Sequence, residues 1–350
     1  MADNDTSPTL IDVPALRQWL VDCVDEPAMA SAPLTAVRMG QDTGVGNALF
    51  SLQWGDRELV LRRPPSAKIT ASAGDMKRES RLLGALAGTD VRHPRLIGSC
   101  DDPSVIGAPF LVMERIDGFT PIAPLPEAFS SPESRRELGF EMVDALAELA
   151  LVDWRGVGLE GFGKPEGFLA RQVDRWLWQL DTYRTRELPG LDALTRWLRE
   201  ELPGAGPTGI VHGDYSTFNV MFAHGTPARL AAIIDWDTAT IGEPLMDLGH
   251  LLARWDQAGE EPTALGSSDN PNRAGYASRV ELAERYGART GFDLTNLRFY
   301  EVLSLFKLAC IMEGHYASEL GKVPPDAQRF TDTSINIFRD ALRISEGNRP

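Results

Sequence analysis

Two stretches of this 350-residue chain decide how the rest is read: "VHGDYSTFNVMF", residues Val211–Phe222, and, thirteen positions on, "DWDTATIGEPLMDLGH", residues Asp235–His250. Short apolar runs flank both. "GIV" precedes His212, "NVMF" follows from Asn219, and "LAAII" leads into Asp235. A plain hairpin accounts for Asp214 and Asn219 as turn formers. It gives no reason for Asp235 at the end of an apolar run. Transfer of a γ-phosphoryl group to a hydroxyl gives one. That chemistry needs a carboxylate to orient the attacking oxygen and take its proton, and hard oxygen ligands for Mg²⁺. Asp214, with Asn219 on the same tight loop, offers a base and a neutral oxygen ligand. Asp235, at the end of the next strand, completes the metal set, and strand ends hold such groups better than a free loop does. His212 reads as a buried imidazole bonded to the loop backbone, with a direct chemical role as the alternative. Asp247 reads as a carboxylate at a helix N-terminus bonding back to the loop.

Working outward, the first fifth of the chain reads as strands: "AVRMG", "NALFSLQW" and, after a turn at Gly55-Asp56, "ELVLR". A helix is expected from Ser72, as its cap, to about Ala87, with Met76, Leu83 and Leu86 on its apolar stripe. "PRLIGSC" and "PFLVMER" read as two more strands. The remainder reads as long helices, about Arg135–Val152, Gly167–Glu187 and Leu191–Leu202, then a helical tail from Ala277. Between them stand the strands "GIVHGD", "NVMFA" and "LAAIIDW". Trp176, Trp178 and Tyr183 read as core packing. The layout is α+β in two lobes. Residues 1–115 form a sheet-rich lobe with a leading helical segment over 1–30, and residues 116–350 form a mainly helical lobe. The hinge falls at Met113–Ile116, and a crevice between lobes is a common place for a ligand.

Hydrophobic content of 43% and charged content of 24% are those of a globular protein. Lys and Arg number 35 against 50 Asp and Glu, a net charge of −15. Nucleic acid and an anionic membrane surface, which need a basic face, are therefore not expected as partners. Cys23, Cys100 and Cys310 are far apart, without CxxC spacing, and fit buried thiols better than a disulfide framework or a zinc site. The acidic, polar N-terminus does not resemble a signal peptide, and no apolar run reaches a membrane span. A cytoplasmic location is expected.

"HGDYSTFN" followed by "IIDWDTATIGEPLMDLGH" resembles the catalytic segment of the aminoglycoside phosphotransferase family, within the protein-kinase-like superfamily. The resemblance implies a bilobal protein-kinase-like fold. It makes Asp214 the catalytic base, Asn219 and Asp235 the Mg²⁺ ligands, and Asp247, with His212, the support of the catalytic loop. It assigns no role to Asp237. It also implies phosphate-handling parts in the first lobe. "GQDTGVGNALF" supplies a glycine-rich turn, Gly44, Val45, Gly46 and Asn47, whose N–H groups can approach phosphate oxygens. Arg62 fits the cation of the third strand, because alternation puts it on the same face as Val60. Arg63 is the alternative, and Glu79 is the helix partner. An Arg at this position is similar to choline-kinase-type relatives. Met113, Glu114 and Arg115 would offer backbone groups to adenine. The implied cofactors are ATP, with GTP as the alternative, and Mg²⁺.

"LVLRRPP", "DMKRESRLLGAL", "DDPSVIGAPFLVMERIDG" and "RQVDRW" look most like the branch that also occurs as a kinase-like domain fused to acyl-CoA dehydrogenase in some animal proteins. The two lobes consume the length given, so no dehydrogenase activity is expected. The expected acceptor is a small-molecule hydroxyl, of a hydroxyacyl-coenzyme A or other metabolic type in preference to an aminoglycoside. A cationic antibiotic would need a run of carboxylates, for which Glu243, Asp256, Glu260, Glu261 and Glu313 are candidates. A nucleotide-binding pseudoenzyme and a protein kinase are the remaining alternatives; no APE-like motif closes an activation segment.

Overall fold

The computed structural model describes residues 11–24, 29–40, 47–64, 76–122, 124–260, 264, 274–323 and 330–347. The chain divides into two compact units. The first comprises Met1–Thr89, His93–Asp117 and Ile234–Asp237; the second comprises Asp90–Arg92, Gly118–Ile233 and Thr238–Pro350.

The first unit is built on five antiparallel strands, β1 (Leu34–Met39), β2 (Ala48–Trp54), β3 (Arg57–Arg63), β4 (Leu96–Cys100) and β5 (Phe110–Glu114), in the order β1-β2-β3-β5-β4. β2 and β3 meet in a two-residue hairpin that pairs Trp54 with Arg57. Gly55 takes φ 59°, as the primed turns that match strand twist require. Alternation then separates two faces. Phe50, Leu52, Trp54, Leu59 and Leu61 pack on one side with Leu16 and Leu20 of α1 (Val13–Cys23). Each such fully buried side chain contributes about 1.5–3 kcal/mol. On the other face Val60, Leu111 and Met113 pack with Met76 of α2 (Met76–Leu86). The expected stripe of α2, Met76, Leu83 and Leu86, is fully buried. Ser72 lies outside the described residues, as do Gly44, Val45 and Gly46. Cys100 and Cys310 are buried, but Cys23, in the last turn of α1, is exposed, so burial does not extend to all three thiols.

The second unit is mainly helical: α3 (Pro132–Ala150), α4 (Gln172–Asp181), α5 (Leu191–Glu200), α6 (Leu245–Ala253), α7 (Arg279–Thr290), α8 (Leu297–Glu319) and α9 (Thr333–Ser345). Two short antiparallel ribbons stand among them. One pairs β6 (Gly209–Val211) with β9 (Thr240–Gly242), the other β7 (Val220–Phe222) with β8 (Leu230–Ile233). α3 opens at Ser131, whose hydroxyl accepts the Ser134 N–H, with Pro132 at its first position. α8 is apolar on most of its circumference and runs through the middle of the unit, as such a helix must. α6 lies directly on it, because Gly249 has no side chain: a Cβ there would stand 2.6 Å from the backbone of Tyr300.

Two elements are shorter than their sequence patterns. The expected helix Gly167–Glu187 is regular only over Gln172–Asp181; Gly167 takes φ 62°, and a 3₁₀ turn, Leu169–Arg171, precedes α4. Trp176 is buried while Trp178 is 72% exposed. Residues two apart on a helix face nearly opposite ways, so both could not join the core. "LAAIIDW" stops being a strand at Ile233, because Asp235 takes φ 64°, outside the β region. Among the described residues, no helix is long and apolar enough to cross a membrane.

Candidate active site

The first unit gathers one cation and three acids. Arg62, on the α2 side of β3, is buried; its Nη1 donates to Glu79 Oε1 at 3.1 Å and its Nη2 to Asp235 Oδ1 at 2.8 Å. Asp237 Oδ2 lies 2.5 Å from the same guanidinium and also accepts from Asn47 Nδ2 at 2.9 Å. Asp237 thus ties Arg62 and Asn47 together. Arg63 turns elsewhere and donates to the Ile106 carbonyl. Burial alone would lower the Arg62 pKa; the charges of Glu79, Asp237 and Asp235 more than reverse that. Glu79 is pushed up to about 7, first by burial and then by Asp237 and Asp235, against the pull of Arg62. Three carboxylates around one guanidinium leave a local excess of negative charge when all are ionised.

That pKa has a measurable consequence. Glu79 binds its proton more tightly folded than unfolded, so its contribution to stability is greatest in acid and falls as pH rises from about 4.5 to about 7. Glu79→Gln, which cannot ionise, is expected to flatten this part of the curve of melting temperature against pH, measured without nucleotide or metal.

At the end of β5, Met113 is buried and Glu114 exposed. The Glu114 N–H donates to the Arg95 carbonyl at 2.9 Å and the Arg115 N–H to the Glu58 carbonyl at 3.2 Å. Both N–H groups are therefore engaged within the unit. The Arg115 side chain pairs with Glu58.

The second unit holds the loop that joins β6 to β7. Gly213 takes φ 86°, a backbone that favours glycine, and a Cβ there would collide with the Thr238 carbonyl at 2.8 Å. Asp247, in the first turn of α6, accepts the His212 N–H at 2.6 Å and the Gly213 N–H at 2.8 Å. Burial raises its pKa, although His212, these two N–H groups and Lys307 pull the other way. Thr238 donates to the His212 carbonyl at 2.8 Å, and His212 Nδ1 accepts the Asp214 N–H at 3.3 Å. Tyr215 anchors the loop to α3 through the Met142 carbonyl.

These contacts present Asp214, 40% exposed at its side chain. Asn219 Nδ2 donates to the Asp214 backbone carbonyl and to Oδ2, each at 2.8 Å. Both partners are acceptors, so the NH₂ of Asn219 must face Asp214 and its Oδ1 points away. His250 Nε2 lies 3.0 Å from Asp214 Oδ1, and Arg254 Nη1 3.8 Å from the same oxygen. Lys307, from α8, donates to the Gly213 carbonyl. Burial alone would raise the Asp214 pKa. The hydrogen bond from His250, with Lys307 and Arg254 close by, outweighs it and holds the carboxyl well below the usual range. His250 is pushed down to about 4, chiefly by burial and against the pull of Asp214. Asp214 is thus an anion and His250 neutral at neutral pH.

His250, Arg254 and Lys307 are absent from the residues that the sequence pattern singles out. The loop from His212 to Asn219 carries no Lys or Arg of its own, and α6 and α8 bring the cations to it. His250 stands three residues after Asp247, hence on the same helix face, and that spacing is the one signal that marks it.

The donor chemistry suits Mg²⁺. Asn219 has an oxygen directed away from its own partners, and Asp235 keeps a half-exposed carboxylate beside the acid-rich Arg62 cluster. Among the described residues no three His, Cys, Asp or Glu side chains group as a metal cage. A Mg²⁺ ion of this class needs only one or two protein ligands, with phosphates and water. Three of the acids considered for a cationic acceptor are engaged otherwise. Glu313 is fully buried against Arg186 and Ser334, Glu260 pairs with Arg279, and Glu243 accepts the Tyr300 hydroxyl at 2.6 Å. Asp256 is half-buried, and Glu261 lies outside the described residues.

Residues 42–300 match the model of the phosphotransferase enzyme family APH. Acyl-CoA dehydrogenase family member 10 of Mus musculus is 32% identical over 282 residues, 80% of this chain and 26% of that protein. Acyl-CoA dehydrogenase family member 11 of Gallus gallus is 34% identical over 328 residues, 88% of this chain and 40% of that protein. The chain therefore spans between a quarter and two fifths of the length of these relatives. A crystal structure from Ralstonia eutropha, provisionally assigned as an aminoglycoside phosphotransferase, superposes with a TM-score of 0.80 at 29% identity, covering 97% of this chain and 99% of that one. With an antiparallel sheet in one unit and helices in the other, the fold is α+β and protein-kinase-like, and the chain belongs to the APH family of phosphotransferases.

Proposed function

We propose that this phosphotransferase moves the γ-phosphoryl group of ATP, with GTP as the alternative nucleotide, to the hydroxyl of a small molecule. The observation that carries the reading is the Asp214 carboxylate, ionised, partly exposed, and held at each oxygen by a neutral N–H donor. In the proposed step the acceptor oxygen bonds to the γ-phosphorus and the bond to the β–γ bridging oxygen breaks. ADP leaves, and the acceptor proton passes to Asp214. Arg254 and Lys307 supply positive charge beside the loop, where such transfers gain most from electrostatic stabilisation. Asn219 and Asp235 would hold Mg²⁺, which when bound neutralises phosphate charge. Arg62, fixed by Glu79, and Asn47, fixed by Asp237, would serve the nucleotide with Gly44, Val45 and Gly46; Met113, Glu114 and Arg115 would border the base.

For the acceptor we favour a metabolic alcohol, of which a hydroxyacyl-coenzyme A ester is the leading type. Two observations support this. The curated relatives carry acyl-CoA dehydrogenase names. In addition, Glu260 and Glu313, two of the candidate acids for a polycationic antibiotic, are already paired with arginines. Unpaired thiols fit the reducing cytoplasm, and the acidic balance fits neither nucleic acid nor an anionic membrane as partner. The test is ADP release with Mg²⁺·ATP across hydroxyacyl-coenzyme A esters, amino alcohols and aminoglycosides. Turnover is expected with the first group; turnover confined to aminoglycosides would reverse the preference, and ATP binding without turnover on any acceptor would favour a pseudoenzyme.

A further inference from the structure

We propose that His250 is a positioning residue for Asp214: a neutral imidazole whose Nε2–H holds Oδ1 while the Asn219 amide holds Oδ2. The proposal rests on the reading of Asp214 as the base. A carboxylate only accepts, so the 3.0 Å contact requires the proton on Nε2. The other ring nitrogen, Nδ1, is buried without a partner. That is tolerable for a bare lone pair, whereas an imidazolium would leave an unmet buried donor there. Arg254 Nη1, itself only a donor, lies 3.3 Å from Nε2. With the proton of Nε2 given to the shorter Asp214 contact, Arg254 acts there through its charge, which with that of Lys307 further disfavours a cation on the ring. His250 is thus a donor of fixed protonation. It can orient the carboxylate without taking its charge.

The placement is mechanical as well as chemical. Asp247 and His250, on one face of α6, grip the backbone and the side chain of the same loop. The close approach of Gly249 to Tyr300 sets α6 against α8, the helix from which Lys307 reaches the Gly213 carbonyl. Misplacing a reacting group by about 1 Å costs roughly 10²-fold in rate, which is the scale on which a lost orienting bond should register.

The test compares His250→Phe, which keeps ring bulk without a donor, with His250→Gln, whose amide reaches to the position of Nε2. The probe is Mg²⁺·ATP turnover with water as the acceptor, and Asp214→Ala is the control. His250→Phe is expected to lower kcat about 10- to 100-fold with KM for ATP within about twofold, and His250→Gln to recover most of the loss. Wild-type kcat in His250→Phe, or equal loss in both variants with a shared fall in melting temperature, would overturn the proposal. Wild-type turnover in Asp214→Ala would instead overturn the base reading beneath it. Nitrogen-15 shifts of the His250 ring in the unaltered protein give a readout independent of turnover and of how the variants fold. A proton on Nε2 at neutral pH is expected, and a proton on Nδ1 alone contradicts the proposal.

Discussion

Asp214→Asn is expected to lower kcat by about 10²–10⁴, the range for loss of a general base. The amide has nearly the shape of the carboxylate but only one acceptor oxygen. Asp214 currently receives N–H groups at both oxygens, from Asn219 and from the His250 ring. In the variant one of those donors must face an NH₂, so the side chain loses its orientation along with its basicity. Asp214→Ala removes both effects together, and the two variants should fall to a similar residual rate. Steady-state kinetics with Mg²⁺·ATP and whichever acceptor turns over measures both. Turnover within a few-fold of wild type in either variant contradicts the assignment.

The largest effect on stability should come from Asp247→Ala. This carboxylate is 1% exposed and accepts two loop N–H groups, those of His212 and Gly213. The His212 donor is buried and the Gly213 donor partly so, and a buried donor left unmet costs about 1–3 kcal/mol. The expected loss is therefore about 1–3 kcal/mol from the His212 donor, with a smaller addition from Gly213, by denaturant unfolding. Asp247→Asn keeps one acceptor oxygen and should cost less than the alanine variant. Activity should fall in both, because the displaced backbone carries Asp214. If Asp247→Ala unfolds at the wild-type denaturant midpoint, the carboxylate does not hold the loop.

The loop was legible because its chemistry is local. Between His212 and Asn219 the spacing of oxygen-bearing side chains, with apolar runs on both sides, fixes which groups can share one turn. The Arg62–Glu79 pair follows from alternation along β3, which puts Arg62 on the side that α2 covers. His250, Arg254 and Lys307 were not legible in that way. Their significance depends on which face of α6 meets the loop and on α8, more than fifty residues later in the chain, passing under it. Charge without partners misled in the other direction. Glu260 and Glu313 look like acceptor-binding acids in a sequence, and only the packing shows each committed to an arginine. Apolar residues extend the strand pattern up to Asp235, while the positive φ of Asp235 ends the strand before it.

Phosphorus-31 spectroscopy of the unaltered protein with Mg²⁺·ATP and a hydroxyacyl-coenzyme A ester reads the bond being made. A new phosphate-monoester resonance should grow at the same rate as ADP, and it should be absent when Asp214→Asn replaces the wild type over the same interval. ADP accompanied only by inorganic phosphate, with every alcohol offered, would show that the γ-phosphoryl group goes to water and that the alcohol-directed transfer described for Asp214 is wrong.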